Sequence, residues 1–520
     1  MFPQIGIAVE NRERPASDEA DAPFEVNPLD LLVQKKTGLA FLFPYQKLVV
    51  ANTLEGKDQV VILPTGAGKS LCFQLPALLL PGTTLVIFPL LSLMTDQLRR
   101  LREQGVPCAA LRGGQSAGER SRLWHELAEG RLKLLLATPE GILVPRTIER
   151  LRGACISHLV IDEAHCVSEW GDSFRPSYLE LGRVRAEAGI PLMTAFTATA
   201  SPDVLQRVAS VLFGSGDYTL VRANPDRPNI SYSVVPTICK DHTVAALVRE
   251  AERPAVVFCR TRPGAERTAR FLRERLGESE IYFYHAGLSK PEKERIEKWF
   301  FESSSGVLAA TCAYGMGVDK ANIRTVIHRD VPPSVEAFLQ ESGRGGRDRK
   351  PAYSALIVSS EDHLLARRIA DPTARERYLA LLRLASQSGR CRRAGLLELL
   401  DAEPELCFGC DVCEGRVVEH PEGEEALVGL VRRARRRYTA REIAYICVGR
   451  RSHEAVRRGL LSARGWGILS AWEHDEIVDA VEALVAAGTL AIPRRGPWKG
   501  RLTLPGRKQT KAKAAALSSP

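Results

Sequence analysis

Residues 61–70 read VILPTGAGKS, and the way this stretch divides decides the fold. An apolar run, QVVILP (59–64), stops at a proline and gives way to a glycine turn, after which a helical pattern begins at Lys69. A strand that hands a glycine loop to a helix N-terminus aims backbone N–H groups and the positive end of a helix dipole at one point. That is a cradle for phosphate. The spacing puts the loop amides of Thr65, Gly66, Ala67 and Gly68 around the phosphates, Lys69 on the β and γ groups, and Ser70 on Mg2+. The strict pattern has glycine where this chain has Leu63, but the TGxGKS core is kept.

Working outward, further apolar runs follow at TTLVIFP (83–89), LKLLLATP (132–139), ISHLVID (156–162) and PLMTAFTAT (191–199). Short continuous apolar runs read as parallel strands buried on both faces, and the helical stretches between them make βαβ units. A second series contains AVVFCR (255–260), IYFYHAG (281–287), GVLAATC (306–312), RTVIHRD (324–330) and YSALIVSS (353–360). The expected fold class is α/β, with two tandem doubly wound parallel-sheet domains; the family resemblance carried by the motifs quoted below implies that these are RecA-like and are followed by a small helical zinc-binding module and a winged-helix domain. The expected spans are 25–212 and 213–362 for the two α/β domains, 363–420 for the zinc module and 421–508 for the winged helix. Residues 1–24 and 509–520 are expected to be disordered, the second of these basic. In the stretch GTLAIPRRGPWKGRLTLPG, two short strands are expected around a Pro/Gly-rich turn.

The chain has 520 residues, a net charge of +10 and 45% hydrophobic residues, as suits a multidomain globular protein. No apolar run is long enough for a membrane span, and the N-terminus lacks a signal-peptide pattern, so a cytosolic protein is expected. Much of the positive charge sits late in the chain, in RRARRR (432–437) and GRKQTKAK, which suits a polyanionic partner.

Asp162 and Glu163 end the run ISHLVID and open DEAHCVSEWGDSFRPSY (162–178). A strand's carboxyl end faces the ligand crevice of a doubly wound sheet. Asp162 there can hold a metal through water, and Glu163 can orient the attacking water as general base. Arg344 and Arg347, in QESGRGGRDR (340–349) of the second α/β domain, are candidates to stabilise charge on the γ-phosphate. Such a division of groups suggests a cleft that ATP closes and hydrolysis opens.

Of the twelve cysteines, eight are scattered and are expected as reduced thiols. Cys391, Cys407, Cys410 and Cys413 cluster, and four thiolates so spaced suit tetrahedral zinc. By spacing alone an iron–sulfur site remains a rival.

Taken in order, LPTGAGKS, FPLLSLMTDQ (88–97), ATPE (137–140), DEAHCVSEWGDSFRPSY, TATA (197–200), RPNI (227–230), YHAGLS (284–289), TCAYGMGVDK (311–320) and QESGRGGRD (340–348) resemble the RecQ-type DNA helicases of superfamily 2. The resemblance runs over roughly residues 30–508. It implies an ATP-dependent helicase, with ATP, Mg2+ and Zn2+ as cofactors and single-stranded and duplex DNA as partners, moving 3′→5′ in recombination or repair. It also implies zinc rather than iron–sulfur at the four cysteines. Asp319 joins the ATP and Mg2+ contacts. Gln46 reads the adenine edge, although Phe43 stands where the family usually has arginine and Leu39 where it usually has an aromatic residue. Trp170, Phe174 and Arg175 couple single-stranded DNA to hydrolysis, since bases stack on rings and arginine pairs with phosphate. In the C-terminal hairpin, Trp498 is a candidate wedge, flanked by Arg494, Arg495 and Lys499 for phosphates. An RNA helicase with the same core, or a DNA-binding accessory protein without turnover, remain the alternative readings. A monomer is expected, and no protein partner is indicated.

Overall fold

The computed structural model describes residues 42–64, 67–169, 176–214, 216–314, 320–403 and 406–505. These form two compact units. One holds residues up to Arg227 together with Leu397–Glu403, and the other holds Pro228–Leu396 and the residues from 406 onward.

The first unit is built on seven parallel strands: β1 (Gln59–Ile62), β2 (Thr83–Ile87), β3 (Cys108–Leu111), β4 (Leu134–Ala137), β5 (Ile156–Ile161), β6 (Leu192–Thr197) and β7 (Thr219–Arg222), in the order β3-β4-β2-β5-β6-β1-β7. Successive side chains point to opposite faces, so one apolar run feeds two cores. Val60, Ile62, Leu85, Ile87, Leu159 and Ile161 fill one face. Val61, Leu63, Val86, Leu136, Val160 and Phe196 fill the other. A sheet apolar on both sides needs helices on both sides, which is why the connections are helical and the strands parallel.

All five runs read from sequence in this unit are strands; β3 and β7 were not read. Both lie at the sheet's rims, where one-sided burial weakens the apolar signal. β7 also corrects a boundary. It lies within the span assigned to the second α/β domain, yet it pairs with β1 from Gln59↔Thr219 to Ile62↔Arg222.

The second unit carries six parallel strands: β8 (Ile230–Thr237), β9 (Ala255–Phe258), β10 (Ile281–Tyr284), β11 (Val307–Ala310), β12 (Thr325–His328) and β13 (Ala352–Ser359), in the order β10-β11-β9-β12-β13-β8. β8 is the rim strand that the sequence reading missed. Its outer edge is covered by the cysteine-rich segment. The Tyr232 amide donates to the Gly409 carbonyl at 3.3 Å, the Asp411 amide donates to the Tyr232 carbonyl at 3.0 Å, and the Val234 amide donates to Asp411 Oδ2 at 3.0 Å. Arg392 locks this segment down, with Nε 3.0 Å from Asp411 Oδ1 and Nη1 donating to the carbonyls of Leu384, Ala385 and Gln387.

The C-terminal part of this unit is helical, at Glu424–Arg433, Ala440–Val448, His453–Arg457 and His474–Ala487. The expected hairpin is reduced to a single antiparallel bridge, Ala491↔Thr503. The Pro/Gly-rich loop between these two residues forms turns, not strands. Among the described residues no helix is long and apolar enough to cross a membrane. The expected disordered ends, 1–24 and 509–520, lie outside the described residues.

Candidate functional site

The strand order places the ends of β1, β6 and β5 side by side. β1 delivers the glycine loop, β5 the acidic pair and β6 the residue between them, so three separate stretches of sequence converge at one crest. This is the end of an open α/β sheet at which ligands bind.

Helix Lys69–Leu79 starts from Gly68, whose φ of 77° lies in the left-handed region. A Cβ on Gly68 would stand 2.6 Å from Gln46 Nε2, so glycine is required both by conformation and by space. Gln46 is buried and spoken for on both ends of its amide: Oε1 accepts from the Phe43 amide at 3.0 Å, and Nε2 donates to the Ala67 carbonyl at 3.0 Å. Tyr45 Oη donates to the same carbonyl at 3.2 Å, and its ring stacks on Phe43 with centroids 5.5 Å apart. The segment before β1 therefore grips the loop directly. Thr65 and Gly66 lie outside the described residues.

Lys69 Nζ is 3.7 Å from Glu163 Oε1, so the loop lysine and the second acid face each other. Glu163 has φ 50°, rare for a residue with a Cβ, and its amide donates to Asp162 Oδ1 at 3.0 Å. Backbone held this way at a cluster of charges is typical of sites where geometry is fixed for chemistry. Burial, aided by the neighbouring Glu163 charge and opposed by Lys69, pushes the Asp162 carboxyl up to about 6. A carboxylate whose charge is disfavoured is one that gains by meeting a cation.

His165 and Thr197 belong to the same cluster, and the sequence reading gave neither a role. His165 Nδ1 is 3.4 Å from Glu163 Oε2 and 3.0 Å from Thr197 Oγ1, and that hydroxyl donates to the Thr199 carbonyl at 2.9 Å. The signal was present in the quoted motifs DEAHC and TATA, but strand order alone shows that they meet. A lysine, two acids, a histidine and a hydroxyl beside a helix N-terminus can bind a phosphate chain with a divalent cation and position a water against it.

Trp170, Phe174, Arg175 and Asp319 lie outside the described residues. Arg344 and Arg347 belong to the second unit, on the turns that follow helix Val335–Ser342, and Arg344 is buried. Gly346 between them is pinned by its amide to the Ile323 carbonyl at 2.8 Å and by its own carbonyl, which accepts from Asn229 Nδ2 at 2.9 Å.

The sulfurs of Cys391, Cys407, Cys410 and Cys413 all lie within 4.8 Å of one another. Four thiolates around one zinc ion stand ~3.8 Å apart, from Zn–S bonds of about 2.3 Å. The donor set therefore fits such an ion. Burial raises the Cys410 thiol, but the Cys413 amide, 3.3 Å from its sulfur, and other hydrogen bonds outweigh that and bring it down to about 7. In the C-terminal loop, Trp498 is exposed, with the Arg436 guanidinium 6.0 Å from its ring centre.

Residues 43–208 match the DEAD/DEAH box helicase family, and residues 239–349 match the helicase conserved C-terminal domain. The ATP-dependent DNA helicase RecQ of Bacillus subtilis (strain 168) is 31% identical over 477 residues, which cover 88% of this chain and 80% of that protein. The chain belongs to the RecQ helicase family. RecQ of Pasteurella multocida (strain Pm70) is 34% identical over 422 residues, covering 79% of this chain and 66% of the relative. The hus2/rqh1 helicase of Schizosaccharomyces pombe is 34% identical over 496 residues, of which the chain spans 37% of the relative's length. The chain thus spans less than two thirds of several RecQ relatives. Among solved structures, the DUF1998 helicase MrfA bound to DNA superposes with a TM-score of 0.56 at 17% identity, covering 94% of this chain and 64% of that one. At that identity the likeness speaks for the fold.

Proposed function

We propose that this RecQ-family chain is an ATP-dependent DNA helicase that moves 3′→5′ along one strand and opens duplex in recombination and repair. The observation that carries this reading is the convergence of Lys69, Glu163, His165 and Thr197 at the crest of the first sheet, beside the Gly68 helix N-terminus. In this reading, the amides from Thr65 to Gly68 and the Lys69 ammonium take the phosphates of ATP. Ser70, Asp162 and Asp319 serve the Mg2+ site, and that ion supplies charge neutralisation at the phosphates. Glu163 holds the attacking water as base, with His165 and Thr197 fixing its carboxylate. Gln46 links the adenine side to the loop through its bond to Ala67. Arg344 and Arg347 supply the cation for the developing γ-phosphate charge.

Trp170, Phe174 and Arg175 report single-stranded DNA to the acids that precede them in sequence. The four cysteines hold structural zinc, since all four donors come from protein. The C-terminal helices form a winged-helix module that holds duplex DNA, with Trp498 at its exposed loop. Expected partners are single-stranded and duplex DNA.

Duplexes with a 3′ or a 5′ single-stranded tail, with and without ATP, test the proposal. Opening of the 3′-tailed duplex alone, dependent on ATP and lost in Lys69→Ala while DNA binding persists, is expected. Equal opening of both tails contradicts the polarity. Equal inactivity of wild type and Lys69→Ala, with both binding DNA, would mean a passive binder.

A further inference from the structure

One buried group in the second unit is used by neither the nucleotide cluster nor the cysteines. His242 lies on helix Lys240–Glu250, directly after β8, and its partners come from the C-terminal helices. Its ring stacks on buried Trp472, with centroids 3.8 Å apart and 16° between planes. Nδ1 is 3.0 Å from Glu476 Oε2, and Nε2 is 3.6 Å from Glu422 Oε2. The second lobe contributes another arm. Arg275 Nε is 3.3 Å from Glu476 Oε1, and Nη2 donates to the Ala471 carbonyl at 2.6 Å.

The Glu476 carboxylate also accepts from the Glu473 amide at 2.8 Å, so the start of helix His474–Ala487 is built around it. Gly423, with φ 81°, crosses the indole where a Cβ would stand 3.1 Å from Trp472 Cζ2. Around this lies one apolar core, in which Ile238 and Cys239 pack with Leu427, Ile477 and Val481. An apolar contact alone is non-directional and would tolerate sliding. A buried imidazole and a half-buried guanidinium sharing one buried carboxylate allow a single register, because any shift strands that carboxylate away from water and from its partners.

We propose that His242, Arg275, Trp472 and Glu476 form a rigid joint that carries each movement of the second lobe into the C-terminal helices. They are positioning residues for strand separation and are not needed for hydrolysis. The inference rests on the helicase reading above. It is tested in the full chain with His242→Ala, which leaves the Glu476 cap intact, and with Glu476→Ala.

Hydrolysis stimulated by single-stranded DNA should stay within about twofold of wild type, while base pairs opened per ATP fall by about tenfold. Unchanged opening per ATP overturns the joint, and so does an equal fall of both activities. A second readout does not need a working helicase. In His242→Ala, amides of helix His474–Ala487 should exchange about tenfold faster while those of β9 and β12 keep their protection. Unaltered exchange in that helix refutes the joint even where wild type opens no duplex, a result that would count against the helicase reading separately.

Discussion

Acid should weaken the strand that carries Asp162 and Glu163, through His158. This residue is fully buried in β5, four positions before Asp162, and its Nε2 lies 2.9 Å from Thr194 Oγ1 of β6. Among the described residues its Nδ1 has no hydrogen-bond partner. Burial pushes its pKa down from 6.5 to about 3. The folded chain thus refuses a proton that the unfolded chain accepts below 6.5, so stability is whole above that value and is lost as the pH falls toward 3. Between about pH 7.5 and about pH 5 the loss is about 2 kcal/mol, or roughly thirtyfold in the opening equilibrium. His158→Gln keeps a polar partner for Thr194 and cannot titrate. Hydrogen exchange of β5 and β6 amides, compared between the two proteins at each pH, isolates the effect. Wild type should lose about 2 kcal/mol more than the variant over that range. Parallel losses would mean that the imidazole is not sealed from water, and the argument fails.

Three other outcomes are expected. Glu163→Gln should leave nucleotide binding near wild type and slow hydrolysis by at least about a hundredfold, read as single-turnover ATP cleavage. Gly68→Ala should lower stability by about 1–2 kcal/mol and weaken ATP binding, because the added carbon needs a left-handed backbone and the space of Gln46 Nε2; titration calorimetry and urea unfolding check both. Cys413→Ser should bring the zinc content, by atomic absorption, well below one ion per chain and lower the melting temperature of the second unit, whereas Cys447→Ser, in the C-terminal core, should leave the metal in place.

The central strands were legible because a parallel strand buried on both faces writes itself as an unbroken apolar run. QVVI, TTLVI and AVVF needed nothing else. Of the rim strands only IYFY was legible: CAAL and TLVR are as long as QVVI, but half of their environment is not core. At the site, Lys69, Asp162 and Glu163 could be named from spacing, since a phosphate loop and an acidic strand end are local patterns. His165 and Thr197 could not be paired, because their meeting depends on β5 and β6 being neighbours. Likewise nothing in the local sequence ties His242 to Glu476, 234 positions later. Polar partners that are far apart in the chain and buried together leave no periodic trace.

The cysteine segment does more for the second sheet than its own donors require. By lying along β8 it occupies amides that any other extended chain could otherwise recruit. On the zinc reading proposed above, a molecule deprived of metal would offer a sticky flank, and half-finished chains would clump. On that same reading, supply of the ion during synthesis would govern how much soluble protein a cell obtains, quite apart from how fast each molecule works.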